Sequence, residues 1–83
     1  MYDHGNRAYL LDMLEFASVV VGYVSGKTEQ DFLSDRQLRD AVAYNLQVVG
    51  EAAYKVDDKF KLSHPEVDWF KIAGLRHRIV HDY

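Results

Sequence analysis

Apolar residues recur along this chain at three- and four-residue steps, the signature of helices buried on one face. Leu10, Leu14, Ala17, Val21 and Val24 form the first series. It predicts a helix from Arg7 to about Val24, with Asp3 or Asn6 as its cap and Gly26 as its C-terminal stop. A short helical turn over Thr28 to Leu33, capped by Thr28, comes next. A second long helix then starts behind Ser34 or Asp35 and runs to about Val56. Its inward stripe reads Leu38, Val42, Leu46, Val49, Ala53 and Val56, supported by Ala41 and Ala52. Arg36 with Asp40 and Glu51 with Lys55 are opposite charges four residues apart on exposed faces. Gly50 interrupts this helix at a cost of roughly 1 kcal/mol relative to alanine, which points to close helix packing there.

Lys55 to Lys61 reads as a polar connector around Phe60. Ser63-His64-Pro65-Glu66 resembles a capping box with proline early in a helix, and Asp68 is an equally good cap. A third helix follows, with Trp69, Ile72, Leu75 and Ile79 inward. No stretch alternates in the manner of a strand. The pattern predicts an all-α antiparallel helical bundle with three long helices, one domain over residues 1–83. Three is an odd number for a closed bundle, so dimerisation is expected to complete it.

Composition narrows the classes. The chain has 83 residues, 48% of them hydrophobic, and no cysteine. A chain this short has a small core and often needs a disulfide, a metal or a partner subunit. Without cysteine the first is excluded, and a reducing, cytoplasmic setting fits. The start, Met1-Tyr2-Asp3-His4, lacks the basic and apolar regions of a signal peptide. The longest apolar run, Ala17 to Val24, is too short for a bilayer. A soluble protein with no membrane partner is expected. The net charge of −3 argues against a broad basic nucleic-acid surface. Lys71, Arg76 and Arg78 nevertheless gather between Trp69 and Tyr83 against Asp82 alone. A local cationic patch on an acidic body suits a small, specific phosphate contact.

The candidate chemistry lies in that segment: Arg76, four residues, His81, one residue, Tyr83. Arginine presents a fork of donors matched to phosphate oxygens. Histidine titrates near neutrality and can take or give a proton. Tyrosine carries a hydroxyl open to modification. His77 and His81 have a spacing that can chelate a metal, but no third ligand is evident, so no metal and no cofactor is expected. His64 and His4 read as exposed loop residues. Trp69, Tyr9, Tyr23, Tyr44 and Tyr54 read as core or interface filler rather than a stacking platform.

Several segments resemble one family. They are Tyr9-Leu10-Leu11-Asp12-Met13-Leu14-Glu15, Asp40-Ala41-Val42 with Asn45-Leu46, Val49-Gly50-Glu51-Ala52-Ala53, His64-Pro65-Glu66-Val67-Asp68-Trp69, and Ile72 through Tyr83. The last carries Arg-x4-His-x-Tyr. Together and in this order they are similar to the HepT-like toxins of the HEPN superfamily, the helical partners of minimal nucleotidyltransferases. Family members continue past the motif tyrosine through a further helix of roughly thirty residues, whereas this sequence stops at Tyr83.

The resemblance implies a metal-independent endoribonuclease toxin of a toxin-antitoxin pair, a homodimer whose protomers line one cleft. His81 is the implied acid or base and Arg76 the implied ligand of the scissile phosphate. RNA, tRNA included, is the implied substrate. Independently of the resemblance, helix spacing puts Arg78 on the face of His81, three residues on, and Arg78 and His77 are the candidate further phosphate ligands. Tyr83 matches the position that the partner nucleotidyltransferase adenylylates. Glu51 either orients the motif arginine or pairs with Lys55. The alternative is a non-catalytic helical binding module for a nucleotidyltransferase. Helical geometry constrains both, because at about 100° per residue Arg76 and His81 lie roughly 140° apart. Either the helix ends before His81, or Arg76 of one chain works with His81 of another.

Overall fold

The computed structural model describes residues 4–82 and is all-α, with no strand among them. Five helices follow in order: α1 (His4–Val24), α2 (Glu29–Ser34), α3 (Arg36–Lys55), α4 (Asp58–Ser63) and α5 (Trp69–Asp82). The long helices α1, α3 and α5 are those the apolar periodicity predicts.

Local chemistry sets most boundaries. Gly26, at φ 76°, turns the chain after α1 in a conformation that side-chain-bearing residues avoid. Thr28 caps α2 through a reciprocal box: its hydroxyl accepts from the Asp31 N–H, and its own N–H donates to the Asp31 carboxylate, both at 3.0 Å. Those bonds, the backbone one first, hold the Asp31 carboxyl below its ordinary pKa. Asp35, rather than Ser34, caps α3 by accepting from the Leu38 N–H at 3.0 Å. The Ser34 hydroxyl instead bonds back to the Gln30 carbonyl.

Helix α3 is the centre, with α1 and α5 both packed on it. The buried apolar residues are Val42, Ala43, Val49, Ala52, Ala53 and Val56. All are small, which lets backbones approach closely but makes a thin core. Leu38 and Leu46, expected in the stripe, are only half-buried. The closest approach is at Gly50, where an added Cβ would lie 2.8 Å from the Arg76 backbone nitrogen and 3.1 Å from the Ile72 carbonyl oxygen.

Three expectations are corrected. Asp3 lies outside the described residues, and Asn6 does not cap α1, because it sits inside that helix and is buried. Its carboxamide oxygen accepts from the Asp57 N–H at 3.0 Å, and its Nδ2 donates to the Asp57 carboxylate at 2.9 Å. This clasp ties the start of α1 to the end of α3, so the two helices run antiparallel. The polar connector contains α4, nucleated where the other Asp57 oxygen accepts from the Phe60 N–H at 2.8 Å. Finally, Ser63-His64-Pro65-Glu66 is no capping box: Ser63 ends α4, and Asp68 caps α5 by accepting from the Lys71 N–H at 3.1 Å.

The clasp yields a prediction. Asn6→Asp sets a carboxylate oxygen where Nδ2 now donates, against the Asp57 carboxylate. A loss of about 2 kcal/mol or more is expected in chemical unfolding. The deficit should shrink on acidification, since repulsion raises the folded-state carboxyl pKa and proton uptake then favours the fold.

Leu14 and Val21, read as inward, are 66% and 65% exposed, and Leu11 beside them is 51% exposed. The stripe exists, but among the described residues no neighbouring helix covers that side of α1. Tyr23, Tyr44 and Tyr54 are likewise exposed rather than in the core. The molecule is accordingly long, 47 × 24 × 20 Å. Its radius of gyration, 14.1 Å, exceeds the about 12 Å of a compact chain of this length. Its accessible surface, 6302 Å², exceeds the about 5,100 Å² expected for its mass. Among the described residues, no helix is long and apolar enough to cross a membrane.

Candidate functional site

The segment bearing Arg76 and His81 is unbroken helix through Asp82, so it does not end before His81. The two residues therefore point to different sides of one chain, about 140° apart. Arg76 lies on the side facing α3. Its backbone rests on Gly50, and its Nε forms an ion pair with Glu51 Oε1 at 2.9 Å. The other carboxylate oxygen of Glu51 lies 3.6 Å from Lys55 Nζ. Both readings of Glu51 are thus realised at once, and the triad Lys55–Glu51–Arg76 carries one net positive charge. The pairs are half exposed, so they add little stability; they fix where the guanidinium stands. Among the described residues its terminal nitrogens have no partner.

Two cavities flank this triad. One, of about 330 Å³, opens toward α1 and is lined by Tyr9, Asp12, Glu51, Lys55 and Arg76 among others. Lys55 Nζ stands 5.9 Å from the centroid of the Tyr9 ring on its rim. The other, of about 380 Å³, is lined by Glu51, Tyr54, Ala73, Arg76 and His77. Arg76 borders both. His77 shares the second cavity and packs against His81, with ring centroids 4.3 Å apart and planes tilted at 42°. His81 is itself exposed and lines neither cavity. Within one chain, then, Arg76 and His77 meet, and His81 joins them through the His77 ring. Arg78 is exposed and makes no ion pair among the described residues. Tyr83 lies outside the described residues. No group of three or more His, Cys, Asp or Glu side chains suited to a metal occurs among those described.

The sequence reading passed over Tyr54 and Ala73 as site residues. Nothing in their spacing marks them, because their place beside Arg76 depends on how α5 crosses α3.

The family profile described as "Ribonuclease HepT-like" matches residues 13–83. The chain belongs to the HepT-like ribonuclease family. The match takes in Gly50, Glu51 and all of α5. A Methanocaldococcus jannaschii protein named "Putative RNase MJ0127" is 34% identical over 93% of this chain and 64% of its own length. "Putative RNase TTE0752" of Caldanaerobacter subterraneus subsp. tengcongensis is 32% identical over 93% of this chain and 69% of its own. "Probable ribonuclease HepT" of Thermococcus cleftensis is 31% identical over 94% and 71%. The chain thus spans about two thirds of these relatives. No solved structure matches it. The all-α architecture of three long helices is the one the HEPN resemblance implies.

Proposed function

We propose that this chain is an endoribonuclease that works without a metal, with Arg76 and His81 as its reacting groups. The observation carrying this reading is the Arg76 guanidinium, paired with Glu51 at the edge of a cavity that His77 also lines, with the His81 ring packed at a tilt against His77. The ribonuclease names of the relatives support RNA cleavage as the activity.

In this reading an RNA 2′-hydroxyl gives its proton to the His81 imidazole and attacks the adjacent phosphorus. The bond to the 5′-oxygen breaks, and that oxygen takes up a proton as it leaves. Products end in a 2′,3′-cyclic phosphate and a 5′-hydroxyl. Arg76 holds the phosphate and stabilises charge growing on its oxygens, and His77 and Arg78 add cationic contacts. Because the nucleophile belongs to the substrate, DNA is not cut.

Since α5 carries Arg76 and His81 on different sides, the productive pair comes from two chains of a homodimer. The uncovered stripe Leu11, Leu14 and Val21 supplies apolar surface for such assembly. A minimal nucleotidyltransferase acts as antitoxin by adenylylating Tyr83; an added anionic nucleotide there repels phosphate.

Incubation with end-labelled single-stranded RNA, tRNA included, tests the reading. Cyclic-phosphate fragments are expected at the same rate with and without chelator, and a DNA of the same sequence should survive. Loss of cleavage on chelation, restored by a divalent ion, would remove the metal-free mechanism. The second reading, a non-catalytic module presenting α5 to a nucleotidyltransferase, is favoured by the separation of Arg76 from His81 within one chain. It is upheld if no RNA is cut and a nucleotidyltransferase is bound.

A further inference from the structure

Tyr54 is 72% exposed, far more than a tyrosine serving as core filler. It nevertheless stands at a built place. Tyr54 lines the 380 Å³ cavity together with Arg76 and His77. Lys61, from α4, lies with its Nζ 6.0 Å from the ring centroid and donates to the Tyr54 carbonyl at 3.2 Å. An ammonium thus stands near the ring, and the same residue borders a cavity that it shares with Arg76 and His77.

Those neighbours select a ligand. A guanidinium with unpartnered terminal nitrogens takes a phosphate. An aromatic residue bordering the same cavity offers a stacking surface to a planar ring, and the joined requirement of phosphate and flat ring is that of a nucleotide. The cavity volume falls in the lower range of small-ligand sites, which suits one nucleotide and not a duplex. The carboxylate of Glu51, which would repel a phosphate if left alone, is matched by Lys55 and Arg76.

We infer that Tyr54 is a base-stacking platform for single-stranded RNA: it receives the base of the nucleotide whose phosphate rests on Arg76. This deepens the nuclease reading and rests on it for the choice of RNA. Stacking on an aromatic face is tolerant of base identity, because every base has a π-face. The subsite therefore adds affinity and register without imposing a sequence.

The test measures binding rather than cutting, so that the two readings fail separately. The probe is a 2′-O-methyl single-stranded oligonucleotide, which cannot be cleaved by its own hydroxyl, followed by fluorescence anisotropy over a salt series. Tyr54→Ala should weaken binding about 10-fold, with the dependence on salt unchanged because no ionic contact is lost. Tyr54→Phe and Tyr54→Trp should bind like the unaltered chain, since the ring and not the hydroxyl acts. Arg76→Ala should instead flatten the salt dependence. Equal binding by Tyr54→Ala and the unaltered chain overturns the platform, as does a loss in Tyr54→Phe as large as in Tyr54→Ala. Failure of the unaltered chain to bind the probe also overturns it. An unaltered chain that binds the probe but cuts no RNA refutes the nuclease reading alone.

Discussion

His81→Ala is expected to lower RNA cleavage by about 10²- to 10⁴-fold, the usual contribution of a positioned acid or base. The fold should not notice. His81 is exposed and its described contact is the ring of His77, so the stability change should stay within about 0.5 kcal/mol. That contrast separates chemistry from structure. Cleavage is read from the appearance of cyclic-phosphate ends on labelled RNA, and stability from thermal unfolding of the same preparation. Arg76→Ala should act differently, weakening RNA binding as well as slowing the reaction, because the guanidinium meets the phosphate before and during the step. Mixing the two variants adds a sharper check. If the reacting pair comes from two protomers, a heterodimer of His81→Ala with Arg76→Ala retains one intact site and regains part of the activity. Unchanged cleavage by His81→Ala alone discards the enzymatic reading.

The second large effect is expected at Gly50. Glycine inside a helix ordinarily costs about 1 kcal/mol relative to alanine, so Gly50→Ala would stabilise an isolated α3. In the packed molecule its Cβ would fall 2.8 Å from the backbone nitrogen of Arg76 and 3.3 Å from Leu75 Cβ. A backbone atom cannot rotate away, and α5 has to move outward. Overpacking of this kind costs about 1–3 kcal/mol, enough to exceed the helix-propensity gain. A fall in Tm of roughly 5–10 °C is expected for a domain of this size. Displacing α5 also moves Arg76 off Glu51, so cleavage should drop further than stability alone explains. Gly22→Ala is the control. Nothing lies within 4 Å of a Cβ built there, in the exposed last turn of α1. That variant should gain about 0.5–1 kcal/mol. Opposite signs in far-ultraviolet circular dichroism melts would locate the effect in the α3–α5 contact. A Gly50→Ala protein as stable as the parent would show that the helices do not meet so closely.

Much of this architecture is legible in the chain because its causes are local. Gly26, Thr28, Asp35 and Asp68 act on backbone groups within three residues of themselves, so their roles can be read without a fold. The period of α3 is equally visible, and a glycine in its middle announces a close neighbour. The i,i+4 spacing of His77 and His81 already brings their rings together on any helix.

What the linear order hides are the contacts that depend on where helices lie. Asn6 and Asp57 are 51 residues apart, and the same asparagine read locally looks like a cap. Leu14 and Val21 belong to an apolar stripe, but periodicity tells which face is apolar, not whether another helix covers it. Glu51 had two plausible partners in sequence, and only the crossing of α3 by α5 lets one carboxylate hold both. The sequence by itself determined the three long helices α1, α3 and α5, the caps Thr28, Asp35 and Asp68, and the motif residues, since propensity and hydrogen bonding act over one turn. The tertiary structure alone decided that Arg76 stands between Glu51, His77 and Tyr54 while His81 faces elsewhere. That outcome follows from backbone approach at Gly50, a property of two helices and not of either one.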